Sequence, residues 1–442
     1  MSKANITPPY PTGEAAAVAR KAALSPLAAG MGGSRILAIA AEVRTMLAQG
    51  HTVCNLTVGD FSPEHFKAPE VFRQNLVEEV QAGHTNYPPS DGTPELKQAI
   101  VDMYKRRLGI EFPIESVFIG SGARPPLFSA YASFLDPGDV LLYAAPSWNN
   151  HYYTYLNQAE AVVIQTRSED GFMPTLEQIR PHLSTARLLH LNSPLNPTGT
   201  CIGQQQIREI AQAIVDENRR REAAGEKSLL MIYDMVYWML TYGDTEHHDP
   251  IREVPEVAPY VVYVDAISKN LAATGLRVGW GMCPPYLQTA FKALVGHTGA
   301  WAPRPEQLAT ASFFNDDDAL QAWLDSFRGA LQARLDLIHS RFEAMAADGL
   351  PVEAIHPQGA IYLSVRVDLL GRTLANGSTI HSSEDIRSFL LQEAGVAVVP
   401  FEAFGLEDAQ GWLRMSVGAV GMEELAAGLD RLEQAIRKAL GK

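Results

Sequence analysis

The sequence predicts an α/β protein. A large domain is built on a mostly parallel seven-stranded sheet flanked by helices, and a smaller α+β domain is built from the C-terminal part and the N-terminal segment. Three observations predict this. Between Phe112 and Pro284 short apolar runs alternate with helical segments, the pattern of strands joined by crossover helices. Several of the runs are continuously hydrophobic, as strands covered on both faces are. A long helical stretch, roughly Asp317 to Ala347, then leads into a second set of strands and helices.

The opening "MSKANITPPYPTGEAAAVARKAAL" has no continuous apolar core, so it is not a signal peptide, and its prolines and small residues suggest an extended or mobile arm. The first helix is "SRILAIAAEVRTMLAQG", with Ser34 as cap, Ile36, Ile39, Ala40, Val43 and Leu47 as apolar face, and Gly50 at its end. The strand runs are "VFIGSG", "DVLLYAAPSW", "AVVIQT", "RLLHLNSP", "LLMIYDMVY", "YVVYVDAIS" and "VGWGMCP". The second set reads "GAIYLSVRV", a helix near Ser383–Ala394, "VAVVPF", "WLRMSVG" and a closing helix from Met422 to Leu440. The division is therefore 1–62 for the arm and helix that join the small domain, 63–315 for the large domain, and 316–442 for the small one.

The 442 residues carry a net charge of −14. That argues against nucleic acid or an anionic membrane surface as partner, since both reward basic patches. Cys54, Cys201 and Cys283 lie far apart and form neither a disulfide framework nor a zinc site. They suit a reducing cytoplasm. No apolar run reaches the ~20 residues that span a bilayer, so a soluble intracellular protein is expected.

The strand ends carry the chemistry, because ligands of such sheets bind where loops leave the carboxyl ends of the strands. Lys269 follows "YVVYVDAIS" directly, and Arg277 comes a short loop later. Asp234 leaves a run so apolar that an unpaired carboxylate there is costly. Asn196-Pro197 forms a turn after another strand, and Trp148 and His151 follow a third. "GSGARPPLF" is a strand-to-helix turn whose free N–H groups could hold an anion. Singly, each has a plain reading: a surface lysine, a core tryptophan, a satisfied histidine, a common turn. As a set they meet the needs of pyridoxal 5′-phosphate: an amine for its aldehyde, a carboxylate for its ring nitrogen, and a helix start with an arginine for its phosphate.

With these motifs in order, "VGDF", "TNYPPSDGTPELKQAI", "GSGARPPLF", "PSWNNH", "NSPLNPTG", "YDMVY", "SKNLAATGLRVG" and "LRMSVG", the chain from about Ser25 onward resembles the class I/II aminotransferases of the aspartate aminotransferase fold. The resemblance implies roles residue by residue. Lys269 would hold the cofactor as a Schiff base and move the proton. Asp234 would pair with the ring N–H, backed by His151, and Trp148 would stack on the ring. Asn196 and Tyr237 would bond the phenolic oxygen. The backbone of Gly122, Ala123 and Arg124 would cradle the phosphate, with side-chain contacts from Ser268 and Arg277, and Tyr87 would reach the phosphate of a neighbouring subunit in a homodimer with shared active sites. Arg414 would clamp the substrate α-carboxylate, with Gly59 lying close to it.

The chain departs from the family pattern at Ala266, where many members carry a hydroxyl, in the longer "GDFSPEHFKAP", and at Pro400-Phe401. Arg124 stands where some relatives place a lysine that reads a second carboxylate, and Arg304 is a weaker candidate for that task. The expected activity is transamination between an L-amino acid and a 2-oxo acid, with acidic or aromatic substrates open. A lyase, decarboxylase or synthase of the same fold is the enzymatic alternative, and a non-catalytic cofactor-binding regulator the alternative of another class.

Overall fold

The computed structural model describes residues 8–374 and 377–442. After the proline-rich residues 8–12 the arm is helical, not extended. It forms α1 (Gly13–Ala23) and α2 (Pro26–Gly30), with no buried residue in either. An alanine-rich stretch favours helix once the prolines are passed, and Ser25 caps α2 by accepting from the Ala28 N–H. The part of the arm expectation that falls on residues 1–7 lies outside the described residues. Helix α3 (Arg35–Ala48) buries Ile39 and Val43, whereas Leu47, expected on the same face, is 46% exposed.

A short strand that the reading missed, β1 (Cys54–Asn55), precedes α4 (Glu70–Gln81) and α5 (Pro94–Leu108). Then come all seven expected strands: β2 (Val117–Gly120), β3 (Val140–Ala145), β4 (Glu160–Gln165), β5 (Ala186–Asn192), β6 (Leu230–Asp234), β7 (Val261–Ala266) and β8 (Gly279–Met282). They form one sheet in the order β2-β8-β7-β6-β5-β3-β4. It is parallel except at β8, which runs against both β2 and β7. Helices α6 (Arg124–Phe134) and α7 (Asn150–Leu156) leave the ends of β2 and β3. Every residue of β7 is buried, which explains its unbroken apolar spelling.

The helix Asp317–Ala347 buries Leu320, Leu324, Phe327, Leu331, Leu335, Ile338, Phe342 and Met345, a stripe at helical spacing. Beyond it lie β9 (Val352–Ala354), β10 (Tyr362–Val367), β11 (Val396–Ala397), β12 (Val399–Pro400) and β13 (Trp412–Ser416). Four of these make an antiparallel sheet, β12-β13-β10-β9, and β11 pairs in parallel with β1. The small domain thus takes its extra strand from the N-terminal segment. The two bodies meet where Thr241 bridges Gly359 and the Ala360 N–H donates to the Leu240 carbonyl over 2.9 Å. Among the described residues no helix is long and apolar enough to cross a membrane.

Candidate active site

Strand β7 ends in a helical turn, Ile267–Asn270, pinned by the buried Ile267 and Leu271. That turn holds Lys269. Its Nζ donates to the Gly59 carbonyl over 2.5 Å and lies 5.9 Å from the centre of the Tyr237 ring. Ser268, beside it, is buried.

Asp234 ends β6. Its Oδ1 accepts from the Val236 N–H, and no cation stands within ion-pair distance of it among the described residues. Burial pushes its carboxyl up to about 6. Asn192 donates to the Asp234 carbonyl over 2.8 Å, and its Oδ1 accepts from the Asn196 N–H over 3.0 Å. The turn after β5 is thereby fastened to the end of β6.

The start of α6 faces Arg277. Gly122 has φ +82°, and a Cβ there would lie 2.1 Å from Arg277 Nη2. A Cβ on Gly279 would lie 2.3 Å from the Gly122 carbonyl carbon, so both glycines permit a close approach of backbone. Arg277 donates to the Thr274 and Ser121 carbonyls. Burial and then the nearby Arg124 charge lower its guanidinium below the ordinary value. Neither arginine has a carboxylate within ion-pair distance among the described residues. Two unpaired cations beside a helix start, flanked by Ala123, suit a dianion.

Arg414, on β13, is 2% exposed. It donates to Asn196 Oδ1 over 3.1 Å and to the Thr57 carbonyl over 2.6 Å, and lies 4.6 Å over the Tyr362 ring and 4.9 Å over that of Phe404. Its Nε has no partner. The Tyr362 hydroxyl stands 2.8 Å from that of Tyr237, and a Cβ on Gly59 would lie 2.7 Å from it. Contact by contact, the chain of neighbours runs from Lys269 through Gly59, Tyr362, Arg414, Asn196 and Asn192 to the Asp234 backbone.

The structure does not bring every expected residue into this cluster. His151 is exposed, its ring lies 4.0 Å from that of Tyr152, and no contact joins it to Asp234. Asn149 takes a left-handed φ of 62°, so α7 begins at Asn150 and it is Asn150 that turns inward, 3% exposed. Asn150 accepts from the Tyr131 hydroxyl over 2.9 Å and donates to Ser147 Oγ over 3.0 Å, while Tyr131 also bonds His190. Burial pushes the His190 imidazole down to about 3. Tyr131 and Tyr153, stacked at 4.9 Å, both feel the Asp234 charge. Trp148 carries the Arg124 guanidinium 4.6 Å over its ring. Tyr87 is 82% exposed and meets Trp301 edge-on, outside the cluster of its own chain. Arg304 is bonded to Asn86. Sequence reasoning missed Tyr362, Phe404, Thr57, Asn150, Tyr131 and His190. A period-two strand pattern could have placed Tyr362 and Arg414 each on one face of its strand, but not shown that the two strands pair.

The residues present fit pyridoxal phosphate. An amine, a buried carboxylate without a cation, and two unpaired arginines at a helix start lie together in the chemistry that its aldehyde, ring nitrogen and phosphate require.

Comparison with known proteins agrees. Residues 51–432 match the family model of aminotransferase class I and II. The aspartate aminotransferase of Streptomyces avermitilis is 30% identical over 92% of this chain and 94% of its own. The aspartate/prephenate aminotransferase of Thermus thermophilus is 30% identical over 92% and 97%. The crystal structure of the aspartate aminotransferase from Rhizobium meliloti superposes with a TM-score of 0.84 at 27% identity, over 94% of this chain and 99% of that one. A seven-stranded sheet that ends in a lysine and an aspartate, and a match across both domains, lead to one conclusion: the chain belongs to the class I and II aminotransferases and uses pyridoxal phosphate.

Proposed function

We propose that the chain transaminates acidic or aromatic L-amino acids with 2-oxo acids as acceptors, and that Lys269 holds the cofactor as a Schiff base. The observation that carries this reading is Arg414, buried and without a carboxylate partner among the described residues, yet within the cluster that contains Lys269. A dry, unpaired guanidinium is matched by the α-carboxylate that amino acids and 2-oxo acids share.

When bound, the cofactor supplies a carbonyl carbon for the amine and a ring that accepts the electron pair left at the substrate Cα. Asp234 would accept from the ring N–H; neither His151 nor Asn150 touches it among the described residues. Asn196 has its Oδ1 engaged by Arg414, which leaves Nδ2 to donate to the phenolic oxygen beside the Tyr237 hydroxyl. The backbone of Gly122, Ala123 and Arg124, with the Ser268 and Arg277 side chains, would hold the phosphate, and Trp148 would cover the ring. Arg414 and Gly59 would grip the carboxylate and so orient the Cα–H bond toward Lys269, whose amine would take up and return the proton.

Substrate choice rests on Arg124, an exposed cation without an ion pair among the described residues, and on the aromatic faces of Trp148 and Phe404. The relatives named for aspartate and prephenate support both possibilities. Tyr87, exposed beside Trp301, completes the site of a second copy in a homodimer. The boundary at 315/316 is supported by helices that end at Asn315 and restart at Asp317, and the assignment of the N-terminal segment to the small domain by the pairing of β1 with β11. A reducing cytoplasm is supported by three unpaired cysteines whose thiols burial pushes up to about 12.

The test is a spectral screen of the loaded protein against single amino acids, following conversion of the cofactor's visible band to that of its amine form. Aspartate, glutamate or an aromatic amino acid should convert it. Conversion only by small aliphatic amino acids would remove the substrate assignment.

A further inference from the structure

Asp265 is a buried acid with no part in the site described above. It is the penultimate residue of β7 and 0% exposed. Asp234 pairs with Val264 across the sheet, so by strand alternation Asp265 projects from the opposite face. There its Oδ2 accepts from the Tyr104 hydroxyl of α5 and from Trp238 Nε1, each over 2.8 Å. Its Oδ1 accepts from the Ala266 N–H over 2.7 Å, and Trp280 Nε1 donates in turn to Tyr104 over 2.9 Å. All three of its partners can donate to it, so both carboxyl oxygens are held in place. No cation lies within ion-pair distance among the described residues, and burial, with the Asp234 charge adding to it, pushes its carboxyl up to about 7. A dry anion without a counter-ion is costly, and an apolar residue would pack there more cheaply.

What the acid joins suggests why it is there. Trp238 follows Tyr237 in a tight turn, closed by bonds from Trp238 N–H to the Met235 carbonyl (2.9 Å) and from Leu240 N–H to the Tyr237 carbonyl (2.7 Å). The strand that carries Asp265 runs on within four residues to Lys269. The side chain of Asp265 therefore fastens the turn bearing one reactive-site residue to the strand bearing another.

We propose that Asp265 is a positioning residue, which through the Trp238 indole sets the Tyr237 hydroxyl at the level of Lys269. This rests on the reading of Tyr237 as a donor to the cofactor's phenolic oxygen. That donor favours the anionic oxygen, so its loss or misplacement raises the pH midpoint of the visible band of the loaded protein.

The test is a spectrophotometric pH titration of the full-length, pyridoxal phosphate-loaded protein. Tyr237→Phe should raise the midpoint, and Asp265→Asn should raise it by roughly half a unit or more, the scale of a hydrogen bond to a charged group. The double variant should rise no further than Tyr237→Phe alone. Trp238→Phe, which keeps the acid and an aromatic ring, should behave like Asp265→Asn and carries the test if the latter does not fold. Asp91→Asn is the control: Asp91 is 9% exposed, is held by Lys97 and Lys292, and makes no contact with the Tyr237–Trp238 turn among the described residues. It should leave the midpoint in place. An unchanged midpoint, additive shifts, or a fall, which would reveal a through-space charge effect instead, overturns the positioning role. A null result for Tyr237→Phe itself would overturn the reading of Tyr237 and this proposal with it.

Discussion

Arg414 Nη1 donates to Asn196 Oδ1 over 3.1 Å, across 218 positions of sequence, and so ties β13 to the turn after β5. The bond leaves Arg414 Nε free and buried. Arg414→Lys should therefore fold yet lose the bidentate grip on substrate, lowering kcat/KM by about 10²-fold or more, mainly through KM. Steady-state kinetics with a reactive amino acid would check this. A change confined to kcat would move carboxylate binding elsewhere.

Asp234 is expected to be a liability to the fold before the cofactor arrives. Its folded value, about 6, stands above the ordinary 3.8. The folded state then binds more protons than the unfolded one between about pH 4 and 6, so stability falls as pH rises through that window. Asp234→Asn should raise the stability of cofactor-free protein above pH 6 by roughly 1–2 kcal/mol, a two-unit shift discounted for partial solvation. With cofactor bound the order should reverse. Thermal unfolding with and without pyridoxal phosphate, at pH 5 and pH 8, reads both halves.

Gly279→Ala places a methyl group 2.3 Å from the Gly122 carbonyl carbon. Backbone cannot yield as a side-chain tip does, so the α6 start must shift, at a cost of roughly 1–3 kcal/mol. Cofactor affinity should weaken more than affinity for the phosphate-free aldehyde, as measured by fluorescence titration of both. Equal loss for the two would separate this glycine from the phosphate.

Arg124→Leu should lower kcat/KM for aspartate or glutamate by about 10–100-fold, the range of a lost charge-assisted contact. Phenylalanine should be affected far less. Uniform loss across both classes would reduce Arg124 to a phosphate or structural role.

Mixing Lys269→Ala with Tyr87→Ala chains tests the shared site. In a mixed dimer one site receives both defects and the other neither, so the mixture should recover up to a quarter of wild-type activity, by random pairing of dimers. A mixture no better than its parents would place Tyr87 outside the partner's site.

The architecture was legible because burial on both faces leaves a strong signature. β7 and the helix Asp317–Ala347 could be read almost to the residue from apolar content and period. The failures share a physical cause. Whether His151 or Asn150 turns inward depends on one backbone angle at Asn149, which "PSWNNH" does not encode. Tyr362 reads as an ordinary strand aromatic, and only tertiary pairing brings its hydroxyl to Tyr237. β1 is two residues long and exists because β11 lies beside it, a partner more than three hundred positions away.

That last pairing bears on biosynthesis. Cys54 waits for Val396, and the backbone just beyond it carries Gly59, the neighbour of Lys269. During translation the large sheet can form while the first strand still dangles unmatched. The catalytic pocket is closed only once the segment carrying Val396 and Arg414 has left the ribosome.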